Sequence, residues 1–313
     1  MNDADLNVVT GAFGYTGKYI AQKLLSAGHE VRTITGHPGR TSPFGDRVKA
    51  YPLDFGDPIA LAQNLSGAST LYNTYWIRFP RGAVTFEAAV ENTKTLVNAA
   101  IQAGVQRIVH ISITNPSFDS PLAYFKGKAL VEEAIIGSGL AYNIIRPTLI
   151  FGSEDVLINN IAWFLRKFPI FAVPGEGGYS VQPVHVEDVA EAAAGAAARV
   201  DNERENIIQD CVGPETYTYE QLIRLIAGSV GSKAKIAHLP PSLALFLSRI
   251  AGYLVRDVVL TRAEIDGLMA GLLVSHKPGT GQRRLSRWLE ENGHTLGRRY
   301  ASEMDRHYRR RLD

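Results

Sequence analysis

The sequence predicts an α/β protein, in which helices cover both faces of a doubly wound parallel sheet and a smaller, mostly helical lobe follows. Three observations predict this class. Short β-branched runs alternate with longer helical patterns in the first half of the 313-residue chain. A glycine-rich turn joins the first run to the first helical pattern. After Arg146-Pro147 the alternation stops, and helical patterns dominate.

The alternation predicts six strands in the first half and one in the second. They are Leu6–Thr10, Glu30–Thr35, Arg47–Leu53, Thr70–Tyr75, Arg107–Ile113, Ala141–Ile145 and Asn206–Cys211. The predicted helices are Gly17–Ala27, Pro58–Leu65, Thr85–Ala103, Ala123–Gly137, Glu187–Arg199, Thr218–Val230, Ser242–Val255, Arg262–Leu273, Arg283–Asn292 and Tyr300–Arg311. Right-handed crossovers between parallel strands place a ligand crevice at the carboxyl ends of the strands.

Composition excludes several classes of protein. A net charge of +2 is too small to indicate a general nucleic-acid-binding surface. The single cysteine, Cys211, cannot form an internal disulfide, so we expect a reducing, cytoplasmic compartment. The first ten residues lack the features of a secretory signal, and we expect no transmembrane segment. The most apolar stretch, Leu239–Leu260, is interrupted by prolines and charges and predicts amphipathic helices.

The glycine-rich turn indicates what kind of ligand the first half of the chain binds. Three glycines with G-x-x-G-x-x-G spacing lie between a predicted strand and a predicted helix. Glycine permits a tight turn and a close approach to a pyrophosphate, and the amide groups at the helix start favour that anion. The turn therefore predicts a Rossmann-type unit that binds a dinucleotide. We expect the cofactor to contact Gly11, Phe13, Gly14, Tyr15, Thr16 and Gly17.

The end of the second strand indicates which dinucleotide is bound. An acidic residue there holds the ribose hydroxyls of NAD, whereas an arginine suits the 2′-phosphate of NADP. The segment Arg32–Arg40 contains no acid, and His37 or Arg40 could meet a 2′-phosphate. We therefore expect NADP, with NAD as the alternative. Arg40 as an ordinary solvated loop charge is the competing interpretation.

Tyr124 and Lys128 form a candidate proton-transfer pair. One helical turn separates them, so both project from the same face of a helix. An ammonium beside a phenol lowers the phenol pKa from about 10, which allows proton exchange near neutral pH. A hydroxyl or amide after the fifth strand would orient a substrate oxygen, and Ser112, Thr114 and Asn115 are the candidates.

These motifs resemble the short-chain dehydrogenase/reductase superfamily, especially its extended and atypical branches. Within them the chain looks most like the NmrA-like NAD(P)H-binding proteins, over roughly residues 6–225, and is similar to the nucleotide-binding accessory subunit of respiratory complex I. The resemblance implies that Asp54 lies against the adenine amine, with Phe55 beside it in the cofactor site. From their position after the fourth strand, we expect Asn73 and Thr74 to border the nicotinamide. The resemblance also assigns Ser112 as the catalytic hydroxyl beside the Y-x-x-x-K pair. Further matching segments are Ile144–Pro147, Val184–Ala190 and Gly213–Thr218.

The leading hypothesis is an NAD(P)-dependent oxidoreductase that transfers hydride to or from a small carbonyl-like, quinone-like or enone substrate. One rival is a non-catalytic NAD(P)H-binding redox sensor or assembly subunit, and another is a sugar-nucleotide epimerase or dehydratase. We expect a Rossmann domain over residues 1–150 and a substrate or partner lobe over 151–313, with segments near 180–212 returning to the first domain. No metal is expected, and a protein partner or homodimer is left open.

Overall fold

The structure is a computed structural model that describes residues 5–198 and 206–307. Its residues form two compact units. The first comprises Met1–Pro147 and Val186–Cys211, and the second comprises Thr148–His185 and Val212–Asp313. Among the described residues, no helix combines the length and apolar character required to cross a membrane.

The strands and helices are numbered in chain order. The strands are β1 Leu6–Thr10, β2 Glu30–Thr35, β3 Val48–Pro52, β4 Thr70–Asn73, β5 Arg107–Ile111, β6 Ala141–Pro147, β7 Ile150–Phe151, β8 Ile170–Pro174, β9 Ser180–Val181, β10 Val184–His185, β11 Ile207–Cys211, β12 Tyr217–Thr218 and β13 Lys235–Leu239. The helices are α1 Tyr15–Ser26, α2 Pro58–Leu65, α3 Phe86–Gln102, α4 Ala123–Ile136, α5 Leu157–Lys167, α6 Val186–Ala198, α7 Tyr219–Ser229, α8 Pro241–Val255, α9 Arg262–Met269, α10 Leu285–Asn292 and α11 Glu303–His307.

The first unit is built on a seven-stranded sheet in the order β3-β2-β1-β4-β5-β6-β11, with every neighbouring pair parallel. The predicted doubly wound parallel sheet is therefore confirmed. Apolar side chains from five of its strands share one core and are fully buried: Val8, Ile34, Leu71, Ile108 and Ile144. The strand order reverses between β1 and β4, so their carboxyl ends form the switch point where such sheets bind ligands.

The second unit is mainly helical, as predicted, around a core that includes Phe151, Val173, Leu222, Ile226 and Leu289. Its described residues also form three two-stranded sheets. The β8–β13 pair was not predicted, and the interpretation of this region as loop and helix was wrong here. These strands are five residues long and each has one partner more than 60 residues away, so local periodicity gives little signal.

Helix α5 was not predicted either, nor were the two-residue strands β7, β9, β10 and β12, so the interpretation of Phe151–Pro183 as loop-rich was incomplete. The remaining differences concern the ends of elements. Helix α1 begins at Tyr15, two residues before its predicted start, which places Tyr15 and Thr16 in the first helical turn. Helix α9 ends at Met269 rather than Leu273, because Gly271 adopts a left-handed φ of 69° shortly afterwards. The final predicted helix is observed as α11, and its predicted residues after His307 lie outside the described ranges.

Candidate functional site

The glycine turn folds tightly against the carboxyl end of β1. Gly11 has a φ of 64°, and its amide donates a 2.9 Å hydrogen bond to the Ile34 carbonyl. The Gly14 amide donates to the Gly11 carbonyl at 2.8 Å. A Cβ atom on Gly17 would lie 2.5 Å from that same carbonyl oxygen. Gly17 therefore lets α1 begin directly against the turn, a contact that other residues would prevent.

The start of helix α1 is open toward an anion. Gly14 is its N-cap and has no side chain, so the cap position supplies no side-chain acceptor, and the first turn contains no acidic residue. Phe13 and Gly14 are half-exposed, and the amides of Tyr15 and Thr16 point out of the helix end. A pyrophosphate fits this cradle, because amide donors and the helix dipole both favour negative charge.

Three threonines fix the position of the turn. The Thr74 hydroxyl donates to the Thr10 carbonyl at 2.6 Å, and the Thr74 amide donates to the Thr10 hydroxyl at 2.7 Å. On the other side, the Thr33 hydroxyl donates to Val9 O at 2.8 Å and accepts from Ala12 N at 2.9 Å. Thr10 and Thr33 were missed from the sequence. Their signal is a β-branched hydroxyl among the last three residues of β1 and of β2, the strands that border the turn.

The predicted contacts for the adenosine half lie after β2 and β3. His37 and Arg40 are both exposed, in a turn where the Arg40 amide donates to the His37 carbonyl at 3.1 Å. Asp54 accepts a 2.8 Å hydrogen bond from the Gly56 amide, which fixes its own loop. Phe55 packs on the Tyr75 ring at 4.8 Å between centroids. The roles of these four predicted residues in cofactor binding stay predictions.

Asn73, at the end of β4, is turned into the protein interior. Its Oδ1 accepts from the Tyr75 amide at 3.0 Å, so its Nδ2 faces His110 Nδ1 at 3.2 Å. Nδ1 of His110 is therefore an acceptor, and the ring proton lies on Nε2. Within the described residues this buried Nε2 has no hydrogen-bond partner. Burial, and then the charge of Lys128, hold the pKa of His110 well below its usual value.

Lys128 is buried on α4, and its Nζ donates a 2.9 Å hydrogen bond to the Ile111 carbonyl at the end of β5. The same Nζ lies 4.7 Å from the centroid of the Trp76 ring. Burial lowers the pKa of Lys128 to about 7, against the opposing attraction of the Glu132 carboxylate. Lys128 can therefore hold or release a proton close to neutral pH.

Ser112 donates its hydroxyl to Glu132 Oε1 at 2.5 Å, and both side chains are buried. Arg146 closes the network, because its Nε donates to Glu132 Oε1 at 3.0 Å and its Nη2 pairs with Glu132 Oε2. Glu132 was missed as a site residue. The available signal is spacing: Glu132 follows Lys128 by four residues, as Lys128 follows Tyr124. The structure commits the Ser112 hydroxyl to this carboxylate.

Tyr124 is half-buried among aromatic rings. Its ring meets Trp76 and Phe86 edge-on at 5.8 and 5.7 Å between centroids. Gly127 allows this arrangement, because a Cβ there would lie 2.8 Å from the Trp76 ring. Tyr124 and Lys128 therefore both contact Trp76 and share one face of α4, as their spacing predicts. Their catalytic roles stay predictions.

The other two candidates for orienting a substrate oxygen, Thr114 and Asn115, lie in the segment between β5 and α4. The Thr114 amide donates to the Pro147 carbonyl at 2.9 Å, and Thr114 is fully buried. Asn115 adopts a left-handed φ of 55°, which asparagine tolerates better than most residues.

Comparison with known proteins agrees with this geometry. Residues 11–157 match the family described as NAD(P)H-binding. A relative in Arabidopsis thaliana, NADH dehydrogenase [ubiquinone] 1 alpha subcomplex subunit 9, mitochondrial, is 26% identical over 283 residues, which covers 85% of this chain and 70% of the relative.

Two solved structures share the fold. Citrobacter sp. triphenylmethane reductase complexed with NADP(H) has a TM-score of 0.76 at 19% identity, covering 92% of this chain and 99% of that one. The NADPH-dependent quinone oxidoreductase QOR2 from Escherichia coli, complexed with NADPH, has a TM-score of 0.71 at 20% identity, covering 92% and 98%. At these identities the likeness concerns the fold alone. Residues 11–157, which contain the glycine cradle, are therefore similar to an NAD(P)H-binding domain, and the whole chain shares the fold of these two reductases.

Proposed function

We propose that the chain is an NADP-preferring reductase or dehydrogenase that acts on a small carbonyl-like, quinone-like or enone substrate. The observation that carries the proposal is the cradle at α1, where Gly17 leaves no space for a Cβ and the N-cap residue, Gly14, has no side chain. A domain of this type holds a redox dinucleotide by its pyrophosphate. The bound cofactor supplies or accepts the hydride.

The chain's own residues would bind and orient this cofactor. Gly11, Gly14 and Gly17 shape the turn that receives the pyrophosphate, and Thr74 holds the turn against β1. Arg40, exposed after β2 in a segment without acids, offers a cation for a 2′-phosphate. The NADP(H) named for both solved structures supports this preference.

Proton transfer would fall to α4. When a carbonyl is reduced, its carbon gains the hydride and its oxygen gains a proton, which we assign to the Tyr124 hydroxyl. Lys128, with its pKa of about 7, sits one helical turn away and can replace that proton near neutral pH. Trp76 contacts both side chains and restricts access of water to Lys128.

Cofactor binding is tested by calorimetric titration with NADPH and NADH. The parent should bind NADPH more tightly, and Arg40→Ala should weaken NADPH binding about tenfold while changing NADH binding little. Arg47→Ala, which removes another exposed arginine of the same region, is the matched control. Absence of binding to both dinucleotides would refute the proposal.

Turnover is tested by NADPH oxidation with quinones, aldehydes and enones. Tyr124→Phe should keep the Kd for NADPH and lower kcat by about 100-fold or more, because it removes one hydroxyl. Tyr142→Phe, a half-buried tyrosine on β6, is the control. Equal kcat values in Tyr124→Phe and the parent would exclude Tyr124 as the proton donor.

A specific observation favours a second candidate, a non-catalytic NAD(P)H-binding sensor or assembly subunit. The Ser112 hydroxyl is committed to Glu132, and Lys128 Nζ is committed to the Ile111 carbonyl. A relative named as a subunit of NADH dehydrogenase is consistent with a docking role. NADPH binding without turnover of any acceptor class would favour this candidate.

A further inference from the structure

Helix α8 exposes many of its large apolar side chains, unlike an ordinary amphipathic helix. Such helices turn large apolar side chains inward and polar ones outward. The residues that α8 buries are Ala244 and Gly252, and a Cβ on Gly252 would lie 2.6 Å from the Asp257 carbonyl oxygen. The inner side of α8 therefore carries small residues with the half-buried Leu245 and Val255, and most of the large apolar side chains of the helix lie on its other side.

The exposed side of α8 carries six large apolar residues, with exposed fractions from 41% to 87%. They are Leu243, Phe246, Leu247, Ile250, Tyr253 and Leu254. At 3.6 residues per turn they fall within an arc of about 120°. Isolated exposed apolar residues are normal, but a contiguous set along one helix marks a surface that binds something. These six residues are named the α8 face.

Charge along the α8 face has one sign. Arg249 and Arg256 are exposed. Around the helix axis, Arg249 lies next to Tyr253, just outside one border of the arc. No acidic residue occurs from 240 to 256. The nearest acid, Asp257, is directed to α11, where its carboxylate accepts from the Glu303 and Met304 amides at 2.7 and 3.2 Å. The α8 face is therefore apolar with a cationic border.

The strand that contacts α8 has the same character. Strand β8 begins at Ile170, which is 59% exposed, and Phe168 just before it is 40% exposed. Lys235 is the register partner of Ile170, and Lys167 ends the preceding helix; both lysines are exposed. Apolar and cationic residues thus occur together again at this neighbouring element of the second unit.

We propose that the α8 face lies on the surface of a lipid bilayer with anionic headgroups. Apolar side chains bordered by arginines, with Tyr253 next to the border, match the arrangement of helices that lie in a membrane interface. A second copy of the chain fits less well, because a two-fold contact on this face would bring the exposed Arg249 close to its own copy, and residues 240–256 include no acid to offset that repulsion. The proposal is independent of the dinucleotide chemistry.

Co-sedimentation of the full chain with vesicles tests the proposal. One set contains phosphatidylcholine alone, and the other also contains about one phosphatidylglycerol in four lipids. The parent should partition onto the anionic vesicles, more weakly onto the neutral ones, and less as salt is raised. Phe246→Ser/Ile250→Ser should lower partitioning at least about tenfold, because two side chains no longer enter the interface.

Two matched controls test whether the loss of partitioning depends on the α8 face or only on the residue types that are removed. Phe118→Ser/Ile59→Ser removes the same residue types at exposed positions of the first unit and should partition like the parent. Arg249→Gln should weaken partitioning about fivefold on anionic vesicles only. Arg287→Gln, which removes an exposed arginine of α10, should have a smaller effect. Circular dichroism and thermal unfolding verify that each variant is folded.

A fluorophore locates the inserted surface. An environment-sensitive dye on Leu254→Cys should shift to the blue on anionic vesicles, whereas the same dye on Ile59→Cys should not. The parent, whose Cys211 is buried, reports background labelling. The proposal is overturned if the parent ignores both vesicle types, if the α8 variants partition like the parent, or if Phe246→Ser/Ile250→Ser instead dissociates a dimer that does not bind lipid.

Discussion

We expect the free energy of unfolding to rise between about pH 7 and pH 9, and replacing Lys128 with methionine should remove most of that rise. Burial lowers the pKa of Lys128 from 10.5 to about 7, so the folded state disfavours the charged form by about 5 kcal/mol. Because the unfolded state holds this proton more tightly, the free energy of unfolding increases with pH from about 7 to about 10.5. Between about pH 7 and pH 9 the gain is about 2 kcal/mol for this group.

The measurement is urea unfolding at several pH values, read by circular dichroism. The range from about pH 7 to pH 9 avoids the titration of two other buried groups with shifted pKa values. The pKa of His110 lies below this range, and burial moves the pKa of Tyr72 further above it. Lys126→Met removes an exposed lysine of the same helix and should keep the parent's slope. If Lys128→Met retains that slope too, Lys128 does not titrate with a lowered pKa, and its assigned role in proton exchange is refuted.

Two further predictions concern single residues of the first unit. Gly17→Ala should destabilise the fold by about 2 kcal/mol or more and weaken dinucleotide binding, because its Cβ would collide with backbone; Gly195→Ala, in an open part of α6, should be neutral or stabilising in the same thermal unfolding assay. Glu132→Gln should cost about 2–3 kcal/mol in urea, because it leaves half-buried Arg146 without its carboxylate, whereas the exposed Glu133→Gln should cost little. Equal losses in either matched pair would contradict the packing described for that site.

Much of the fold was predictable because its signals are local. Alternating β-branched runs and helical periods predicted each strand of the large sheet, and the fully buried Val8, Ile108 and Ile144 show why: both faces of a parallel sheet are covered, so its strands are continuously apolar. The three-glycine spacing likewise predicted the dinucleotide cradle, since only glycine fits where Gly17 meets the Gly11 carbonyl.

What the sequence alone determined is therefore the class of fold and the kind of ligand, because strand alternation and glycine spacing act over a few residues. Only the tertiary structure decided which partners the polar side chains take. Ser112 donates to Glu132 on another element, Asn73 fixes the tautomer of His110, and Lys128 owes its lowered pKa to burial. The tertiary structure also decided that the α8 face points outward. Such pairings and burials join residues distant in sequence, and no local pattern encodes them.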